Sequence, residues 1–210
     1  MKYLGKPAGM WALFAGSFEK HLTVEFDLTA GQAKDVAARA KKKYREIIAK
    51  LPEFDKRDRF EMNIVNCAML AAFILCMPQR PDIKTLTDYY AAAMMTPTMK
   101  AFCRASGKKK FTPKDIEGMK ATAKLRAGDR NPYSWNMDFF EYEDGSGYEA
   151  RFTTCGICTL MQVLGLYDLT PALCHLDYTM SDAGGASDFV REYTLASGGP
   201  YCDCGDHKKQ

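Results

Sequence analysis

Apolar residues recur at helical spacing through most of the first 130 positions and on alternate positions near 134–154, so the chain changes from helical to mixed patterning partway along. Gln32 to Leu51 mixes Ala, Lys, Arg and Glu with regularly spaced apolar residues, and Pro52 closes it. Arg59 to Met77 predicts a second, mostly buried helix ended by Pro78 and Pro81. Asp82 is the expected N-cap of a third, running through Leu86, Tyr89, Tyr90 and Met94. A short helix with Met99 and Phe102 follows Thr96-Pro97. Thr112-Pro113 places a capping threonine before a proline at the first helical position, opening a helix to about Ala127.

After Gly128-Asp-Arg-Asn-Pro132 the period shortens. Ser134–Tyr142 and Tyr148–Thr154 flank the turn Glu143-Asp-Gly-Ser-Gly147, which predicts a β-hairpin. Cys155 ends its second strand, and Ile157–Leu166 resumes helical spacing. Thr170-Pro171 is expected to cap a helix carrying Cys174 and Asp177 and stopped by Gly184-Gly185. Asp188–Leu195 reads as a strand, Gly198-Gly-Pro200 as a turn and Tyr201–Cys204 as a last strand. The predicted fold is therefore α+β: a helical N-terminal two-thirds, then a β-hairpin, two helices and a second β-hairpin forming a small antiparallel sheet. Residues 1–130 would be the helical part and residues 131–210 the α+β part of one compact unit. No internal repeat and no phosphate-binding glycine loop interrupts it.

Composition narrows the function classes. Of 210 residues, 47% are hydrophobic and 26% charged, as in an ordinary globular protein, and a net charge of +3 is too small to point to nucleic acid. The most apolar stretch, Ala68–Met77, is about half the length of a membrane-spanning helix. No signal peptide is recognised, so a cytoplasmic protein with reduced thiols is expected, acting on a small molecule rather than on nucleic acid or a membrane. Of the eight cysteines, Cys67, Cys76 and Cys103 lie among apolar residues as small core fillers. The other five, Cys155, Cys158, Cys174, Cys202 and Cys204, crowd into the last 56 residues.

That crowding is where the chemistry lies. Cys155 stands where a strand hands over to a helix, and a helix N-terminus favours the thiolate. Cys158 makes a C-x-x-C with it, readable as two half-buried thiols, a nucleophile, a redox pair or two metal ligands. Cys174 and Asp177 share a helix face at i, i+3. An Asp beside the Leu173, Leu176 and Met180 stripe would be partly desolvated, which suits general acid–base work. Arg191 falls on the same strand face as Phe189, Tyr193 and Leu195, and a buried guanidinium needs a partner: Asp177, backbone carbonyls or a substrate carboxylate. Cys202 and Cys204 point to one strand face with Asp203 on the other. A metal, zinc above all, would have to draw on Cys155, Cys174, Asp177 and Cys202 together. His207 is expected to fray, and His175 to point away from the Cys174/Asp177 face.

In order, these residues resemble the L-2-amino-thiazoline-4-carboxylic acid hydrolase family. Its C-terminal signature has a Cys after a hairpin, a Leu-Gly step, C-x-x-D, R-x-x-T and a final G-x-x-x-C-D-F. Here these positions read Cys155, Leu164-Gly165, Cys174-His-Leu-Asp177, Arg191-Glu-Tyr-Thr194 and Gly198-Gly-Pro-Tyr-Cys202-Asp203-Cys204, with Cys204 in place of the aromatic. The resemblance implies hydrolytic opening of a cyclic amidine to N-carbamoyl-L-cysteine. Cys155, Cys174, Asp177 and Cys202 would then be catalytic, and Arg191 and Thr194 would bind substrate. In one version Asp177 is the base and Cys155 or Cys174 the nucleophile or thiol donor; in another the cysteines hold a zinc that activates water. The competing reading is a small-molecule-binding domain with a structural Cys/Asp metal site, similar to 4-vinyl-reductase-like domains.

Overall fold

The computed structural model describes residues 1–209. Six helices come first: α1 (Lys6–Glu25), α2 (Ala30–Lys50), α3 (Glu61–Cys76), α4 (Ile83–Met94), α5 (Pro97–Gly107) and α6 (Pro113–Arg126). Their starts follow the expected chemistry. The Asp82, Thr96 and Thr112 side chains accept backbone N–H groups three residues on, and Pro97 and Pro113 take the proline-tolerant start of their helices. Thr29 and Gln32 form a reciprocal capping box at α2.

Helix α3 is the axis of the helical part. Ile64, Val65 and the run from Cys67 to Ile74 are all buried, which explains why its sequence is apolar all round instead of striped. Helices α1 and α2 pack on it, and Trp11 of α1 stacks between Tyr44 and Phe73. The core continues into the C-terminal part through Trp135, Leu160, Met161, Leu173 and Leu176.

That part holds β1 (Asp138–Glu141), β2 (Gly147–Phe152), α7 (Gly156–Val163), α8 (Thr170–Gly184), β3 (Ser187–Val190) and β4 (Cys202–Lys208). The sheet is antiparallel with order β1-β2-β4-β3, so the α+β expectation holds. Helix α7 packs on α3, and α8 packs on α4 and α5. A buried ion network ties the end of α6 to the strand region. Arg126, 1% exposed, donates to the Trp135 carbonyl and the Ser134 hydroxyl and pairs with Asp58 and Asp129. Ser134 in turn donates to Asp58 at 2.6 Å.

Three local expectations change. The strand expected over Asp188–Leu195 stops at Val190, because the Asp203 carboxylate takes the N–H groups of Glu192 and Tyr193 and turns the chain off the sheet. The last strand is longer than Tyr201–Cys204; it runs to Lys208, and His207 is held in it by stacking on Tyr142 at 4.6 Å. Thr170 does not cap α8. It is already helical and fully buried, Leu169 is the cap residue, and the Thr170 hydroxyl has no partner among the described residues.

Candidate active site

The register of β2 against β4 starts the site. Phe152, at the end of β2, lies opposite Cys202, at the start of β4, and Ala150 lies opposite Cys204. Three residues beyond Phe152, Cys155 is the N-cap of α7 with extended backbone (φ −139°, ψ 114°). Strand pairing and helix start thus bring thiols 47 positions apart in sequence into one region. The backbone has no room to spare there. A Cβ on Gly156 would come within 2.1 Å of the Tyr133 carbonyl oxygen. Gly156→Ala is therefore expected to destabilise the fold by about 1–3 kcal/mol and to shift Cys155. A fall in denaturation midpoint together with slower alkylation of Cys155 would show it.

Cys155 is the thiol of the five whose pKa is lowered. The Cys158 side chain hydrogen-bonds to it, the N–H groups of Cys158 and Ile157 point at it, and the Trp135 indole adds a further donor. Together these outweigh burial and bring its pKa down to about 7. Its partner moves the other way: the hydrogen bond to Cys155 and burial push the Cys158 thiol far up, so it keeps its proton. The Tyr167 hydroxyl lies within reach of Cys158 and donates to the Leu195 carbonyl, while the Leu195 N–H points at the Cys202 sulfur at 3.2 Å. Cys202 is buried, and burial raises its pKa.

The second group gathers around Arg191, whose side chain is only 6% exposed. Its Nη1 donates to the Cys174 carbonyl at 3.0 Å, and Nη2 donates to Asp177 Oδ2 and, at 2.9 Å, to the Cys204 sulfur. The ring of Phe189 lies under the guanidinium at 4.7 Å. Two of the three partner classes foreseen for Arg191 are thus realised together, and its Nε is buried without a partner among the described residues. Cys174 and Asp177 do share a helix face, as the i, i+3 spacing predicts. Asp177 is half exposed instead of desolvated, since it lies on the solvent side of the Leu173/Leu176 stripe. Burial pushes the thiols of Cys174 and Cys204 each up to about 12, so both are neutral.

A cleft of about 250 Å³ opens beside this group, lined among others by Cys174, Arg191, Thr194, Ser197 and His175. His175 is exposed and lines this cleft too; its ring leans against Tyr178, which lines the same cleft. Thr194 accepts the Ser197 N–H and donates to its hydroxyl, so its side chain is fixed. Cys155 and Cys158 do not line this cleft, but the charge on Cys155 is felt at Cys174, which does.

The metal set expected from the sequence does not assemble. Among the described residues no three His, Cys, Asp or Glu side chains are grouped to hold an ion. Cys155 is turned to Cys158, Asp177 to Arg191 and Cys202 to the Leu195 N–H, so Cys155, Cys174, Asp177 and Cys202 do not fit zinc. Trp135, Tyr167 and the Leu195 N–H went unseen in the sequence, because each reaches the site from an irregular segment. The C-x-x-C spacing was the one visible signal for Cys158.

A family model described as L-2-amino-thiazoline-4-carboxylic acid hydrolase matches residues 62–205, from α3 to β4. No curated protein and no solved structure matches the chain. Every thiol of the site, Asp177, Arg191 and Thr194 fall inside the matched span, which covers more than two-thirds of the sequence. The chain belongs to the L-2-amino-thiazoline-4-carboxylic acid hydrolase family.

Proposed function

We propose that this chain opens the ring of L-2-amino-thiazoline-4-carboxylate, or a closely related cyclic amidine acid, to the N-carbamoyl thiol. One observation carries the reading: a thiol with its pKa lowered to about 7 at the start of α7, close to a cleft walled by a buried arginine. The thiolate of Cys155 adds to the amidine carbon, C2, and the bond from C2 to the ring sulfur breaks. The sulfur leaves as a thiolate, hydrogen-bonded by the S–H of Cys174, which burial keeps neutral, and it takes up the proton that Asp177 then removes from water. Water then attacks C2, with Asp177 taking its proton, and Cys155 leaves as thiolate. One water is consumed overall.

Arg191 and Thr194, which both line the cleft, hold the substrate carboxylate. Asp177 and the Cys174 carbonyl hold the guanidinium in place. Cys202, buried and near enough to feel Cys155, Arg191 and Asp177, takes no step of its own. The binding-domain reading relied on a Cys/Asp metal site, and the described residues do not form one.

Release of free thiol from the thiazoline carboxylate tests the assignment when compared with 2-aminothiazoline, which lacks the carboxylate. Arg191→Lys loses the guanidinium's set of donors and is expected to raise KM for the carboxylate substrate about tenfold or more, with a clearly smaller effect on the carboxylate-free compound. Equal losses for both compounds would remove Arg191 from carboxylate binding.

The pH dependence has a definite sign. Since the Cys155 pKa is lowered, alkylation of Cys155 by iodoacetamide should rise through about pH 7 and level off above it. An ordinary thiol rises through about 8.5, and that profile would contradict the assignment.

A further inference from the structure

Cys158 has no part in the ring-opening steps, yet its side chain rests on that of Cys155. Cys155 is the N-cap of α7 and Cys158 its third helical residue, and the Cys158 N–H and thiol both point at the Cys155 sulfur. Residues three apart at a helix start are neighbours, as a disulfide, which spans Cα atoms about 4.4–6.8 Å apart, requires. Neither thiol is fully buried. The neighbouring sulfurs are engaged elsewhere, Cys204 by Arg191 and Cys202 by the Leu195 N–H.

We propose that Cys155 and Cys158 are a thiol-modification site, at which a low-molecular-weight disulfide converts the pair reversibly to an intrachain disulfide and takes the nucleophile out of use. The Cys155 thiolate attacks one sulfur of RSSR, forming Cys155–S–SR and releasing RS⁻. The charge on Cys155 is then gone, and with it the strongest influence holding the proton on Cys158. Cys158 attacks the Cys155 sulfur, expelling a second RS⁻, and its proton goes to one of the two released thiolates. Two electrons pass from the protein thiols to RSSR, giving RSH and RS⁻. A dithiol reverses the sequence. The effect on activity rests on the nucleophilic role proposed for Cys155; the disulfide itself does not.

The test uses the full chain, reduced, freed of reductant and treated with glutathione disulfide, then alkylated, digested and mapped by mass spectrometry. The wild type is expected to carry a Cys155–Cys158 link, two hydrogens lighter and without glutathione. Cys158→Ser should retain glutathione on Cys155. Ring opening by the oxidised wild type should fall at least tenfold and return with dithiothreitol. Glutathione retained on Cys155 of the wild type, a link from Cys155 to Cys174 or Cys202, or Cys155 still free after treatment would each overturn the proposal. A Cys155–Cys158 link that leaves ring opening at its full rate would overturn the nucleophilic role and leave the disulfide standing, so the two failures read differently.

Discussion

Cys155→Ser is expected to lower ring opening by roughly a thousandfold or more while the protein stays folded. The substitution replaces a sulfur that bears charge near neutral pH with a hydroxyl that does not ionise there, in a site whose donors are arranged around an anion. Those donors would remain: the N–H groups of Ile157 and Cys158, the Cys158 thiol and the Trp135 indole. Their presence makes the variant a clean test, since geometry is kept and only nucleophilicity is lost. Cys174→Ser and Cys202→Ser act on thiols that burial keeps protonated, so their losses should be far smaller. Initial rates of thiol release, alongside far-UV circular dichroism, distinguish these cases. A Cys155→Ser variant retaining a tenth of the activity would contradict covalent catalysis by this residue.

Arg126→Ala should cost about 3–5 kcal/mol of stability, the usual loss when one member of a buried ion network is removed. The side chain is 1% exposed and its contacts bridge three segments: Asp58 before α3, Asp129 just after α6, and Ser134 with the Trp135 carbonyl before β1. Removing it leaves Asp58, 2% exposed, without a cation and with only the Ser134 hydroxyl and the Phe60 N–H as donors. Trp135 also donates to Cys155, so loosening this segment should raise the Cys155 pKa as well. Urea denaturation reads the stability loss, and the pH dependence of Cys155 alkylation reads the coupling. A loss below about 1 kcal/mol would mean that the segments are held by packing alone.

Much of this fold is legible because its helix signals are local. Asp82, Thr96-Pro97 and Thr112-Pro113 mark starts that depend on side chains only three residues apart. The Glu143–Gly147 turn fixes the first hairpin in the same way. The failures share a physical cause. Nothing near Val190 in the sequence reveals that Asp203 will capture the backbone of Glu192 and Tyr193 and end β3 early. The order of His207 depends on Tyr142 across the sheet.

At the site, the sequence points to Cys155, Cys174, Asp177, Arg191 and Cys202 as residues of one region, but not to how they divide. Spacing alone allows four ligands around a metal. The Arg191 guanidinium claims Asp177, and the α7 N-terminus claims Cys155 together with Cys158, and both claims arise only in three dimensions.

The most direct measurement is mass-spectrometric detection of product after reduced, purified protein is incubated with L-2-amino-thiazoline-4-carboxylate, wild type beside Asp177→Asn. The account predicts N-carbamoyl-L-cysteine from the wild type and a strong loss in the variant, whose carboxamide cannot take the proton of water. No N-carbamoyl-L-cysteine from folded wild-type protein, or an undiminished yield from Asp177→Asn, would contradict it.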